Sequence, residues 1–120
     1  MSPPVRDLTT HVLDTSRGRP AAGVRVDFAE IGLDGAARPI KTVVTDADGR
    51  ARLLDEGELR VGRFELTFHV ADYFHAAGAA LPDPPFYDRI PVRFAIAEPH
   101  RHYHVPLLVS PFGYVTYRGS

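Results

Sequence analysis

Two histidines, His102 and His104, stand two residues apart in a stretch that alternates polar and apolar side chains. If residues 102–110 form a strand, both imidazoles lie on one face, because successive side chains of a strand point to opposite sides. A histidine with an ordinary pKa of about 6.5 is mostly neutral near pH 7.5, so either ring can accept a proton from water. The spacing indicates general-base chemistry, while two solvated surface histidines would explain it equally well.

Two further side chains are candidates for the same site. His11 lies in residues 10–14, which alternate as a strand does, so it faces outwards if Val12 belongs to the core. Arg50 follows a turn-forming run over residues 45–49 and therefore begins a strand. Its planar fork of donors suits a flat ligand that carries carbonyl groups. A solvated surface position is the alternative for both residues.

His11, His102 and His104 also raise the alternative of a metal site, because imidazole nitrogen is a common metal ligand. No carboxylate pattern accompanies these histidines in the sequence, and the chain has no cysteine. We therefore expect neither a metal nor a cofactor. Covalent catalysis is not expected either, since the sequence carries no nucleophile-elbow motif.

The segments between these residues predict a β-sandwich. Apolar residues recur at every second position around 24–28, 40–44, 64–70 and 90–96, which is typical of half-buried strands. Runs of Gly, Pro, Asp and Ser separate them, and strands at spacings of roughly 8–12 residues favour two packed antiparallel sheets. An alanine-rich stretch over 71–77, before Gly78, predicts one short helix, and the proline-rich residues 82–85 predict a loop.

The composition limits the classes of function. A chain of 120 residues is long enough for one domain over 1–120 that folds without cross-links. The net charge of -1 provides no field that would attract nucleic acid or an anionic membrane. No stretch approaches the roughly 20 apolar residues that span a bilayer, and residues 1–7 have no signal-peptide core. We expect a mature chain that starts near Met1 and a cytoplasmic location.

Three separated stretches coincide with one family: residues 8–14 with 18–21, residues 45–50, and the C-terminal run that includes 117–120. They resemble the 5-hydroxyisourate hydrolases, the transthyretin-related enzymes of urate breakdown, over nearly the whole chain. The tetrapeptide Tyr-Arg-Gly-Ser at 117–120 is the most specific element. Transthyretin, the hormone carrier of the same fold, shares some of these landmarks but lacks the enzyme's histidines, its arginine and that tetrapeptide.

The resemblance implies an all-β, transthyretin-like sandwich of about eight strands, assembled as a homotetramer with active sites at the mouths of a central channel. It implies hydrolysis of the cyclic amide of 5-hydroxyisourate by water, with histidine assistance and without a cofactor. Carried over position by position, the catalytic residues would be His11, Arg50, His104 and Ser120. The substrate-binding residues would be His11, Arg50, Tyr117 and His102.

Two alternatives belong to other functional classes. A non-catalytic carrier of small aromatic ligands would use the same channel, although imidazole and guanidinium groups at its mouth argue against an apolar hormone. A sandwich-type interaction module is the other alternative, and the missing disulfides and signal peptide argue against it.

Overall fold

Two β-sheets face each other across an apolar core in the computed structural model, which describes residues 5–120. The expected start of the mature chain near Met1 concerns residues outside this range. The elements follow one another in the order β1 (Leu8–Asp14), β2 (Arg19–Pro20), β3 (Arg25–Ile31), β4 (Ala37–Val44), β5 (Arg50–Leu54), β6 (Gly62–His69), α1 (Val70–Ala76), β7 (Arg89–Ile96), β8 (Tyr103–His104), β9 (Leu107–Ser110) and β10 (Gly113–Thr116).

The first sheet is organised around β1. Its strands follow the order β10-β9-β1-β2, and β5 and β8 also pair with β1. Strand β5 runs antiparallel to β1, whereas β8 and β9 run parallel to it. The second sheet, in the order β4-β3-β6-β7, is antiparallel throughout.

The predicted sandwich is confirmed, with two local differences. Within residues 5–120, eight strands have four or more residues, while β2 and β8 have two residues each. The strand expected over 102–110 is interrupted between β8 and β9, because Pro106 has no amide hydrogen to donate to a ladder. The first sheet also contains the parallel pairs with β1, which the alternation pattern did not indicate.

The core contains the apolar faces that the period-two pattern predicted. In β6, Phe64, Leu66 and Phe68 are fully buried, and the intervening side chains are more exposed. The phenyl rings of Phe28 and Phe64 stack with centroids 5.5 Å apart, which joins β3 to β6. Val12 of β1 closes the core from the first sheet and is completely buried. Burial of each such side chain contributes about 1.5–3 kcal/mol to the free energy of unfolding.

The predicted short helix is confirmed as α1, which begins one residue earlier than expected, and Gly78 follows its end in the left-handed region at a φ of 82°. The Tyr73 hydroxyl donates a 2.8 Å hydrogen bond to Asp14 Oδ2, at the end of β1. Burial, followed by this hydrogen bond, raises the pKa of Tyr73. The contact therefore ties α1 to β1. No helix among the described residues is long and apolar enough to cross a membrane.

Candidate active site

Strand β1 brings the candidate residues together because it has β5 on one side and β8 on the other. His11 faces Arg50 in the antiparallel pair, and Thr9 faces His104 in the parallel pair. Residues that face each other in a sheet project to the same side, and so do residues two apart in one strand. His11, Arg50 and His104 therefore share the outer face of the first sheet, opposite the buried side chain of Val12.

An open cleft lies on this outer face. A cavity of about 380 Å³ is lined by Arg50, His102, His104 and Ser120, together with Val5, Asp7 and Thr9. A second cavity of about 310 Å³ also has Arg50 and His104 in its wall. Both volumes fall in the range of small-molecule sites, roughly 300–1,000 Å³. The structure thus brings four of the predicted site residues to one cleft, with His11 beside Arg50.

The surroundings of His104 fix the orientation of its imidazole and lower its pKa. Its Nδ1 atom lies 2.8 Å from Thr9 Oγ1. Burial lowers the pKa of His104, and positive charge on His102, His11 and Arg50 lowers it further. A lowered pKa keeps the ring neutral at neutral pH, as a group that accepts a proton from water must be. When Nδ1–H donates to Thr9, the lone pair of Nε2 is left to accept that proton.

The carboxylate of Asp7 is a site residue that the sequence analysis missed. Its side chain is buried, and its Oδ1 atom accepts a 2.8 Å hydrogen bond from His102 Nδ1. The structure thus adds to the histidines a carboxylate for which the sequence shows no pattern. Asp7 and His102 meet because β8 pairs in parallel with β1, with Leu8 facing Tyr103. A contact across 95 positions leaves no local signal in the sequence.

The last residues of the sequence reach the cleft through Gly119. Its amide donates a 2.8 Å hydrogen bond to the carbonyl oxygen of His104, and the two residues form an isolated antiparallel bridge. A Cβ atom at Gly119 would lie 2.6 Å from His104 Cδ2. The absence of a side chain at this position lets the backbone pass against the imidazole, which brings Ser120 into the cleft wall.

Tyr117 lies apart from this cleft within the chain. It lines a separate cavity of about 340 Å³, together with Phe94 of β7 and Arg118. The Arg118 guanidinium stacks over the ring of Tyr103, 4.2 Å from its centroid. The side chain of Tyr103 points to the side of β8 opposite those of His102 and His104, because successive side chains alternate. Residues 117 and 118 therefore lie on the side of β8 away from the two imidazoles. Within one copy of the chain, Tyr117 therefore does not line the same cavity as the other predicted site residues.

The histidine cluster offers little to a metal ion. Within residues 5–120, no three His, Cys, Asp or Glu side chains are grouped so that they could hold one. The Nδ1 hydrogen bonds of His102 and His104 leave their Nε2 atoms free, and no third ligand of these types is grouped with them in the part of the chain that the structure describes.

We expect Gly119→Ala to displace the His104 ring, because the added methyl group would overlap it. Overpacking of this kind costs about 1–3 kcal/mol and lowers the melting temperature by several degrees. Gly113→Ala is the matched control, since a Cβ there meets only Ser110 Oγ, at 3.7 Å. Thermal unfolding of both variants, with NMR spectra of the His104 ring, tests the expectation. Equal melting temperatures and unshifted His104 signals in both would contradict it.

We expect NMR titration to give His104 a pKa below the ordinary histidine value of 6.5. Arg50→Gln removes a positive charge from the cleft, so the pKa of His104 should rise towards that value. Arg38→Gln serves as the control because Arg38 lies in β4 of the second sheet. A wild-type pKa at or above 6.5, or no response to Arg50→Gln, would show that the cleft does not favour the neutral ring.

Known proteins resemble this chain over nearly its whole length. The HIUase/Transthyretin family matches residues 8–119. The 5-hydroxyisourate hydrolase of Mesorhizobium japonicum is 56% identical over 116 residues, which cover 94% of this chain and 91% of that protein. The structure of Klebsiella pneumoniae 5-hydroxyisourate hydrolase superposes with a TM-score of 0.79 at 36% identity, covering 96% of this chain and 99% of that chain.

Two other solved structures share the fold. Sea bream transthyretin, solved in complex with thyroxine, has a TM-score of 0.83 at 33% identity, covering 94% of each chain. (S)-Allantoin synthase has a TM-score of 0.88 at 42% identity, and the match covers 97% of this chain but only 44% of that longer chain. The family match over residues 8–119, together with full-length relatives above half identity, establishes that this chain belongs to the HIUase/Transthyretin family.

Proposed function

We propose that this chain hydrolyses 5-hydroxyisourate to 2-oxo-4-hydroxy-4-carboxy-5-ureidoimidazoline. The observation that carries the proposal is the cleft that Arg50 and His104 line together, with His11 beside Arg50 and the pKa of His104 lowered so that its neutral form is favoured. Full-length relatives at 53–56% identity bear the name 5-hydroxyisourate hydrolase. Water is the nucleophile, and no cofactor takes part.

His104 acts as the general base in this proposal. Its Nε2 atom takes a proton from water as the water oxygen adds to C6 of the substrate. Thr9 faces His104, and His11 lies two residues further along β1. In this proposal His11 assists His104 from the same face of the sheet. The Ser120 hydroxyl helps to hold the water at the cleft wall. General-base assistance is typically worth about 10²–10⁴-fold in rate.

Arg50 stabilises the charge that develops during the addition. When water adds, the C6 oxygen gains negative charge, and the guanidinium donates hydrogen bonds to it and to the ring carbonyls. The C6–N1 bond then breaks, and the imidazolium of His104 returns its proton to N1. C6 stays bonded to C5 as the new carboxyl group, which ionises by releasing a proton to solvent, and N1 remains in the ureido group. Such electrostatic stabilisation is typically worth about 10²–10³-fold.

The working unit in this proposal is a homotetramer in the cytoplasm. Strands β10 and β7 lie at the ends of the two sheet orders, and the large side chains of Phe112, Val115 and Tyr117 near β10 are more than half exposed. Exposed edge strands that carry apolar side chains favour pairing with another copy. Assembly would also allow Tyr117 of one copy to contact substrate in the cleft of another.

The carrier alternative has one supporting observation, the fold shared with sea bream transthyretin in its thyroxine complex. The cleft of this chain is lined instead by two imidazoles, a guanidinium and a carboxylate. These groups suit a small polar ring with carbonyl and N–H groups better than an apolar hormone.

We expect the wild-type chain to accelerate the loss of the ultraviolet absorbance of freshly generated 5-hydroxyisourate. His104→Asn should reduce the rate by about 10²–10⁴-fold and Arg50→Ala by about 10²–10³-fold, both with an unchanged fold by circular dichroism. His75→Asn is the control, because His75 is an exposed histidine of α1. Binding without turnover would indicate a carrier, and unchanged turnover in His104→Asn would refute the assignment of the base.

A further inference from the structure

The buried carboxylate of Asp7 has two oxygen atoms, and each has a different partner. Oδ1 accepts the 2.8 Å hydrogen bond from His102 Nδ1, and Oδ2 forms an ion pair with Arg52, whose Nε atom lies 3.0 Å away. The side chain of Asp7 is 5% exposed, whereas that of His102 is 27% exposed. Both residues line the cleft, and the imidazole of His102 is the more open of the two to it.

This contact determines which nitrogen of His102 carries the proton. An ionised carboxylate can only accept a hydrogen bond, so the short contact requires a proton on Nδ1. Neutral His102 then has its lone pair on Nε2. His104 has no such constraint, because its partner, the Thr9 hydroxyl, can donate or accept. Asp7 thus fixes the tautomer of one histidine in the cleft, as carboxylates do behind other functional imidazoles.

We propose that Asp7 is a positioning residue for substrate specificity, which presents His102 Nε2 to the cleft as an acceptor for a ring N–H of the substrate. This inference rests on the proposed function. An oxidised purine ring offers N–H donors beside its carbonyl groups. Arg50 provides donors only, and His104 Nε2 accepts from the attacking water, so recognition of the N–H edge needs a further acceptor. An acceptor with a fixed tautomer rejects ligands that lack that hydrogen.

The alternative is a structural role, in which Asp7 only anchors the start of β1 to Arg52 of β5. Measurements beyond stability separate the two roles. A structural anchor would affect the melting temperature and leave the tautomer of His102 and the KM of the substrate unchanged. A positioning residue would change both of these.

Asparagine is the informative substitution because it has only one acceptor oxygen. In Asp7→Asn, the single oxygen can satisfy either Arg52 or His102. The permanently charged guanidinium attracts the amide oxygen more strongly than a neutral imidazole does, so the amide NH2 group should turn towards His102. Nδ1 of His102 must then accept, and the proton moves to Nε2. Asp55→Asn is the matched control, since Asp55 is an exposed partner of Arg52, with Nη1 3.4 Å from Oδ1.

The experiment combines 15N NMR of the His102 ring near pH 8 with steady-state kinetics on 5-hydroxyisourate. We expect wild type and Asp55→Asn to carry the His102 proton on Nδ1, and Asp7→Asn to carry it on Nε2. Asp7→Asn should raise KM about tenfold relative to Asp55→Asn, with a smaller change in kcat, because a binding hydrogen bond is lost.

Three results would overturn the proposal: a wild-type proton on Nε2, an unchanged tautomer in Asp7→Asn, or an inverted tautomer with an unchanged KM. If Asp7→Asn does not fold, the wild-type tautomer and the KM of His102→Phe decide instead, since phenylalanine keeps a flat ring without an acceptor. Failure of the proposed function is recognised separately, because wild type itself would then not consume 5-hydroxyisourate while the NMR spectra would still report the tautomer.

Discussion

The register of β1 against its two neighbours is the constraint on which the candidate site depends. His11 faces Arg50 across one edge of β1, and Thr9 faces His104 across the other. A slip of one residue in either pairing would turn a whole set of side chains to the opposite face of the sheet. The convergence of imidazole and guanidinium groups is therefore a property of backbone pairing as much as of the side chains themselves.

Several contacts hold this register in place. Leu8 and Val12 are completely buried on the inner side of β1, so a slip would expose them to water. The Thr10 hydroxyl donates a 2.7 Å hydrogen bond to the carbonyl of Val105, where Pro106 interrupts the strand. At the start of β5, Gly49 lies at a φ of 75°, and a Cβ there would meet the carbonyl oxygen of Val12 at 2.4 Å. Only glycine allows this close approach beside Arg50.

The sequence predicted the parts of the fold that have local causes. Alternation around Phe64 and Phe68 identified buried strands, and the alanine-rich stretch before Gly78 identified the helix, because both patterns act over a few residues. The pairing of His102 and His104 on one face followed from their spacing, and the structure agrees, with rings inclined by 12° and centroids 6.3 Å apart. The resemblance to a known family supplied the link between these segments.

The rest depended on contacts between distant parts of the chain. Asp7 carries no motif, and its role arises only from the parallel pairing of β1 with β8, which alternation alone does not reveal. Tyr117 belongs to the same tetrapeptide as Ser120, yet the two residues line different cavities, because the segment crosses from one side of β8 to the other. Tyr117 and Ser120 are close in the sequence but do not line the same cavity.

A crystal structure of the chain with bound urate would show whether the cleft holds an oxidised purine between His104 and Arg50. Urate keeps the ring carbonyls and N–H groups of the substrate but is not opened by water. We expect its ring to lie in the cleft beside His104, with a carbonyl oxygen roughly 3 Å from the Arg50 guanidinium. A complex in which urate contacts neither Arg50 nor His104 would contradict the proposed site.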